Sequence, residues 1–423
     1  MFFTYRILTI FFFPLYILLI YLRKILGKED DKRYIEKFLI GPNNYNFKEN
    51  EDLIWFHGAS IGEITSIIPL IDFFLKKNKK ILVTSTTLSS GRMIEKRFKN
   101  EINFYHHYFP FDLPYLIKKF LNNWKPFLII FVDSEIWPNF LHEIKRRKIN
   151  LALVNGRITN KTFNRWSLFK EFAKKNFSSF DLCLASSKDS FESLKRLGSR
   201  NPKYFGNLKY ISNQEQNEKL DKSKIKYLDN HKVWCAASTH KNEEIICIEA
   251  HNEIKKKYNN LITIIIPRHI HRNKNIISIC KRKNLKAQIL NEEDSIKEGV
   301  EIILVNSFGN ISKYYDYCKS VFIGKSLIKK LSSVGGQNPI EAAKKGCKVY
   351  HGPFIYNFLE VYEYLNRNEM AKEINNYRDL SKEIILDLQR PKNIDEKKIE
   401  NINRYGQDIL KNTIQEINQI LIK

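Results

Sequence analysis

The sequence predicts an α/β protein of two domains, each built on a parallel sheet, with a short apolar segment ahead of them. Three observations carry this. Runs of β-branched and aromatic residues alternate with helix-length charged stretches along most of the 423 residues, and unbroken apolar strands of this kind belong to sheets covered on both faces. The alternation stops once, at the polar residues 211–232, "ISNQEQNEKLDKSKIKYLDNHK", which read as a linker or a weakly packed surface segment. The length suits two domains, and a hydrophobic content of 43% is enough to fill their cores.

In chain order, the first element is "ILTIFFFPLYILLIYL", 16 uncharged residues from Ile7 to Leu22, preceded by Arg6 and followed by Arg23, Lys24 and Lys28. It is slightly short for a straight span, and Pro14 interrupts it. Bulky Tyr21 and Leu22 stand where a signal peptide would need small residues, so residues 1–28 read as an uncleaved membrane anchor, spanning or embedded. A first domain, 29–215, carries the strands "LIWFH", "KILVTST", "FLIIFVD", "NLALVN" and "FDLCLAS", separated by helical stretches such as Ile64–Lys77 and Leu113–Asn123. A second, 216–423, restarts with "VWCAAS", "LITIIIP", "EIILVNS", "SVFIG" and "CKVYHG". It ends in an amphipathic stretch from about Lys397 to Leu421 that could pack back on the first domain.

Lys and Arg total 71 against 46 Asp and Glu, a formal charge of +25. That excess favours anionic partners, whether nucleic acid, acidic lipid or phosphorylated substrate, and does not choose among them. Abundant Lys, Asn and Ile also point to a general compositional bias. The six cysteines form no CxxC pair and several lie in apolar runs, so they read as reduced core thiols and not as metal ligands.

In open parallel sheets the binding crevice lies at the carboxyl ends of the strands, where the following helices turn their free N–H groups. The candidate residues cluster there. Glu63 stands in the first turn of a helix after "WFHGASIGE"; it could be a cap favoured by the helix dipole, or a general base opening on a cleft. Gly58 and Gly62 in the same loop would let backbone approach a substrate, and Ser60 lies between them as a further loop candidate. Asp133, Ser134 and Glu135 follow a buried strand, and Pro138 fits an early helical position. Lys209, in "GNLKY", is a solvated lysine or a cation turned to the cleft. Arg268, His269, His271 and Arg272 follow Pro267 at the end of a long strand, a cluster suited to phosphate. In "VGGQNPIEAA", Asn338, Pro339 and Glu341 match a helix start, while Gly335 and Gly336 could leave N–H groups open to a ligand.

Read together, "WFHGASIGE", "VDSEIWPN", "LVNGRIT", "GNLKY", "ASTHKNEE", "IIIPRHIHR" and "GGQNPIEAA" resemble, in order and approximate spacing, the bacterial Kdo (3-deoxy-D-manno-octulosonic acid) transferases of lipopolysaccharide synthesis. The resemblance implies the GT-B fold, two Rossmann-like domains facing across a cleft, and inverting transfer of Kdo from CMP-Kdo to a lipid A precursor. It implies Glu63 as general base, Asp133 or Glu135 as transition-state support, and Lys209 as stabiliser of developing negative charge. Nucleotide binding carries onto Pro267, Arg268 and His269, onto Phe308, Gly309 and Asn310, and onto Asn338, Pro339, Ile340 and Glu341. Gly58, Ser60, Gly62, Arg272, Gly335 and Gly336 are further candidates for the substrate loops. Neither a metal nor a cofactor beyond the donor is expected, nor a nucleic-acid partner; the globular part would work at the cytoplasmic face of the inner membrane.

Four positions depart from the resembled pattern. Asp133 stands for a usual Glu, Asn310 for a Glu, Gln337 for a His and Lys325 for a Gly, and the last three bear on which activated sugar the donor pocket takes. The alternatives are a related GT-B transferase or sugar-nucleotide epimerase with another donor, a basic membrane-associated nucleic-acid binder, and an inactive scaffold.

Overall fold

The structure, a computed structural model, describes residues 1–40, 52–211, 219–306, 311–332, 335–392 and 394–422. The chain divides into two compact units, Met1–Ile211 with Tyr405–Lys423, and Ser212–Arg404. Residues 1–28 thus belong to the body of the first unit, and so does the end of the last helix, Glu396–Ile422.

Among the described residues the first unit holds seven strands: β1 (Leu53–His57), β2 (Lys80–Ser85), β3 (Phe104–Tyr108), β4 (Leu128–Val132), β5 (Asn150–Gly156), β6 (Leu182–Ala185) and β7 (Pro202–Tyr204). They pair in parallel in the order β3-β2-β1-β4-β5-β6-β7. Strands β1 and β4 are buried along their whole length, as their apolar runs require. Trp55 is the largest fully buried side chain in this core; its ring lies 4.9 Å from that of Phe120, 5.5 Å from Phe131 and 5.6 Å from Phe140. Each such fully buried aromatic contributes about 1.5–3 kcal/mol. Its indole N–H donates to Thr84 Oγ1 at 2.9 Å, so the buried polar atom is satisfied.

The second unit holds β8 (Lys232–Thr239), β9 (Leu261–Pro267), β10 (Ala287–Leu290), β11 (Ile302–Val305), β12 (Ser320–Ile323), β13 (Lys348–His351) and β14 (Ala371–Glu373), all parallel, in the order β10-β11-β9-β8-β12-β13-β14. All six cysteines are buried free thiols.

Three sequence expectations need correction. Four strands went unread, β3, β7, β10 and β14, and these are the four sheet edges. An edge strand is half exposed, so "FYHHY", "PKY", "AQIL" and "AKE" carry no continuous apolar run. Within the presumed linker, Lys222–Asp229 is a helix: Asp221 caps it by accepting from the N–H groups of Ser223 and Lys224, and Leu228 is buried against the core. The apolar N-terminus forms two helices, Phe2–Phe11 and Phe13–Ile25, bent by 51°. Pro14 lacks the N–H that would continue the ladder. Among the described residues no single helix is long and apolar enough to cross a membrane, although this pair satisfies length and composition together.

Candidate active site

In each sheet the strand order reverses at one point, and the loops leaving the two strands there diverge to open a crevice at their carboxyl ends. In the first unit that point lies between β1 and β4. Glu63 follows β1, and Asp133 and Glu135 follow β4. The sequence thus delivers three carboxylates to one topological position.

Ser60 is the N-cap of the helix Ile61–Lys76 and Glu63 lies three residues on, half-buried. Its Oε1 accepts from Ser60 Oγ and its Oε2 from the Ala59 N–H, both at 2.7 Å. The side chain is therefore fixed, and each carboxylate oxygen keeps a lone pair for a further proton. Burial raises its pKa above the ordinary glutamate value; the Ser60 bond opposes this, the charges of Asp133 and Glu135 add to it, and the Ala59 bond opposes it. Gly58 is closely packed: a Cβ there would meet Ile64 Cδ1 at 3.0 Å and Glu63 Cβ at 3.3 Å. Space beside exposed Gly62 is open.

Asp133 is buried and has a left-handed φ of +60°. Asp enters that region far more readily than Glu, which gives a physical account of the shorter acid here. Its Oδ1 accepts from Ser134 Oγ at 2.7 Å and from Arg157 Nε at 3.1 Å. Glu135 is held differently: Oε2 accepts from Trp137 Nε1 at 2.7 Å and faces His57 Nε2 at 2.8 Å. A carboxylate can only accept, so Nε2 carries the proton, and Nδ1 turns to Thr84, whose Oγ1 is 3.0 Å away. Lys209 joins the same group. Burial lowers its pKa, Asp133 opposes that, Arg157 reinforces it, and Glu63 opposes it. All four expected catalytic residues are thus gathered in the first unit.

His57, Trp137 and Arg157 are the residues the sequence reading passed over. His57 closes β1 and Arg157 follows β5, so their positions at strand ends were the available signal.

In the second unit the order reverses between β8 and β12. Pro267 ends β9, and the Arg268 N–H donates to the Thr239 carbonyl at 3.0 Å, leaving the guanidinium at the strand end. His240, just after β8, donates through Nδ1 to the Ser238 carbonyl at 3.1 Å. Burial brings its pKa down to about 4; the Ser238 bond opposes this, and Lys325, His269 and Arg268 press further the same way. Neutral imidazole beside several cations suits an anion. His269 is also lowered, by burial first and then by His271, Arg268 and Arg272.

Glu243 organises this end of the sheet. Fully buried, it accepts from the N–H groups of His240, Lys325, Ser326 and Leu327 at 2.7–3.0 Å. It fastens the loop after β12 to the loop after β8. Lys325, where a glycine is usual in the resembled pattern, takes φ +59°, a conformation that disfavours side chains.

Other candidates behave otherwise than expected. Arg272 is committed to buried Glu244, donating through Nε at 2.9 Å and Nη2 at 3.1 Å. The Gly335–Gly336 pair does not hold its N–H groups open as a unit, because Gly336 N–H donates to the Lys325 carbonyl at 2.7 Å. These glycines answer to packing: a Cβ on Gly335 would sit 2.2 Å from the Phe354 carbonyl oxygen, and Gly336 has φ +90°. Asn338 Oδ1 accepts from the Ile340 N–H at 3.1 Å and so starts the short helix Ile340–Lys344, which Pro339 precedes. Glu341 in its first turn has a pKa raised by burial and pulled back by Lys344. Phe308, Gly309 and Asn310 lie outside the described residues.

Residues 32–212 match the family described as 3-deoxy-D-manno-octulosonic-acid transferase (kdotransferase). The 3-deoxy-D-manno-octulosonic acid transferase of Rickettsia bellii is 31% identical over 383 residues, covering 89% of this chain and 88% of its own. The chain belongs to the Kdo transferase family. The Rickettsia typhi transferase is 29% identical over 421 residues, covering 89% of both chains. A solved glycosyltransferase from Rickettsia africae shares the fold at a TM-score of 0.58 over 88% of this chain and 99% of that one, with 13% identity. In this Kdo transferase the acids lie together at the first switch point, and the buried carboxylate Glu243 fastens loops at the second.

Proposed function

We propose that the chain is an inverting glycosyltransferase that moves Kdo from CMP-Kdo to a lipid A precursor such as lipid IVA. The observation that carries this is the gathering of Glu63, Asp133, Glu135 and Lys209 at one strand-order reversal, in a chain of the Kdo transferase family. The acceptor hydroxyl gives its proton to the Glu63 carboxylate as its oxygen bonds to the anomeric carbon of Kdo. The bond from that carbon to the phosphate oxygen breaks on the opposite face, and CMP leaves with the electron pair. Lys209 and Asp133 support the charge that develops, Asp133 through its hold on Arg157.

The second unit takes the nucleotide at the ends of β8, β9 and β12, with Arg268 on the phosphate and Asn338, Pro339, Ile340 and Glu341 near the nucleoside. Phe308, Gly309 and Asn310 complete that set in this reading. The donor and acceptor are both anionic, which gives the +25 charge a use. The N-terminal helices keep the enzyme on the cytoplasmic face of the inner membrane, where the acceptor is.

Incubating the purified enzyme with CMP-Kdo and lipid IVA and weighing the lipid tests the reading. A gain of at least one Kdo unit is expected, with no gain from UDP-linked sugars. An unchanged lipid mass, or transfer from a UDP-sugar alone, would overturn it.

A further inference from the structure

The two N-terminal helices touch the first unit along one stripe. Phe2 packs its ring on His142, and Tyr5 Oη donates to buried Asp112 at 2.8 Å. Thr9 Oγ1 accepts from Asn139 Nδ2 at 3.2 Å. Past the bend, Phe13 and Tyr16 stack on Phe111, Ile20 is 3% exposed, and Arg23 pairs with buried Glu29. Steps of three and four residues define one face of a helix, and here that face is docked for the whole length of the segment.

The opposite face is apolar and bare. Phe3 and Phe11 are each 73% exposed, and Leu15, Leu18 and Leu22 about half. Exposed apolar area on this scale marks an interaction surface. An open cavity of about 590 Å³ adjoins it, lined by Ile10, Phe13 and Ile17 from the helices and by apolar side chains of the body such as Leu116, with Tyr115 the one side chain in the lining that carries a hydroxyl. Arg6, Lys24 and Lys28 stand along the segment, with no acidic residue before Glu29. Apolar surface flanked by cations fits the headgroup boundary of an anionic bilayer.

We propose that this segment lies in the plane of the membrane as a monotopic foot, its bare face in the acyl region and the adjoining cavity open to a lipid chain, and does not cross the bilayer. A crossing helix would have to leave the body along its length, abandoning the bonds of Tyr5, Thr9 and Arg23, or draw buried Asp112 and Asn139 into hydrocarbon. The inference rests on the membrane association proposed above and adds its geometry.

Single cysteines replacing Phe3, Phe11 and Leu22 test it, because the six native thiols are buried and labelling is confined to the new one. Each full-length variant carries a fluorophore and is bound to vesicles of phosphatidylethanolamine and phosphatidylglycerol with bromine atoms at graded acyl depths. In-plane seating predicts strongest quenching by the shallow bromines at all three positions, roughly 5–10 Å below the surface. A probe at position 11 near the centre of the ~30 Å core, with positions 3 and 22 at opposite faces, would overturn the proposal. So would the absence of quenching at every position. Turnover with detergent-dispersed acceptor in the same samples judges the catalytic reading separately: intact turnover with a spanning depth profile sinks only the geometry.

Discussion

The two switch points use carboxylates in opposite ways. In the first unit Glu63, Asp133 and Glu135 share one crevice, each held by a few donors, and their mutual repulsion helps burial to raise Glu63. In the second, Glu243 spends its charge on four backbone N–H groups and Glu244 on Arg272, so the acids are consumed by structure and cations remain at the strand ends. In the proposed reaction the first arrangement moves a proton and the second grips an anion. The same fold supports both because the switch point fixes only where groups converge; their hydrogen-bond partners decide what they do.

After Glu63 itself, the largest break in this contrast is expected at Lys209. Lys209→Met removes the cation from the acidic crevice and should lower kcat by about 10²–10³-fold with the donor KM little changed, as steady-state kinetics would show. An equal rise in KM would move Lys209 to the binding side. Next comes Glu243→Gln, which presents an amide donor to backbone N–H groups and should cost about 3 kcal/mol in denaturant unfolding while raising the donor KM. A variant whose stability falls but whose KM holds would make Glu243 a structural residue alone.

A smaller effect sharpens the first site. Glu63 is raised, so its carboxylate, the form that accepts a proton, appears only above the ordinary value of about 4.3, and activity is lost as pH falls through the raised one. Asp133→Asn removes one of the repelling charges and should move the acid limb of the kcat/KM profile to lower pH, whatever it does to the plateau. The sign for stability is the reverse: a raised carboxyl binds its proton more tightly when folded, so Glu63 favours the fold at low pH and costs stability as pH rises through its titration. The smallest effects contrast two glycines. Gly62→Ala enters open space in a helix and should stabilise by up to about 1 kcal/mol. Gly335→Ala meets the Phe354 carbonyl and should destabilise, both read by thermal unfolding.

What the sequence made legible follows burial. Ten central strands could be read because burial on both faces demands unbroken apolar runs, and the four edges could not because half of each faces outward. Asp133 and Glu135 were visible as acids just after a buried strand and Glu63 as an acid in the first turn of a helix, while their catalytic roles came from the family resemblance. His57 was silent, because its partner Glu135 is 78 residues away, and Arg157 was lost among 71 basic residues. Gly335 and Gly336 were read as ligand space, and only the backbone of Phe354 and Ile355, remote in sequence, explains them. Pairings set by tertiary contact leave no local trace.

The division between chemistry and grip is tested most directly by Glu63→Gln, followed by two readouts on one preparation: single-turnover formation of the Kdo-lipid product by mass, and binding of CMP by calorimetry. Transfer should fall by about 10²–10⁴-fold with CMP affinity unchanged. Transfer at the wild-type rate would contradict the account.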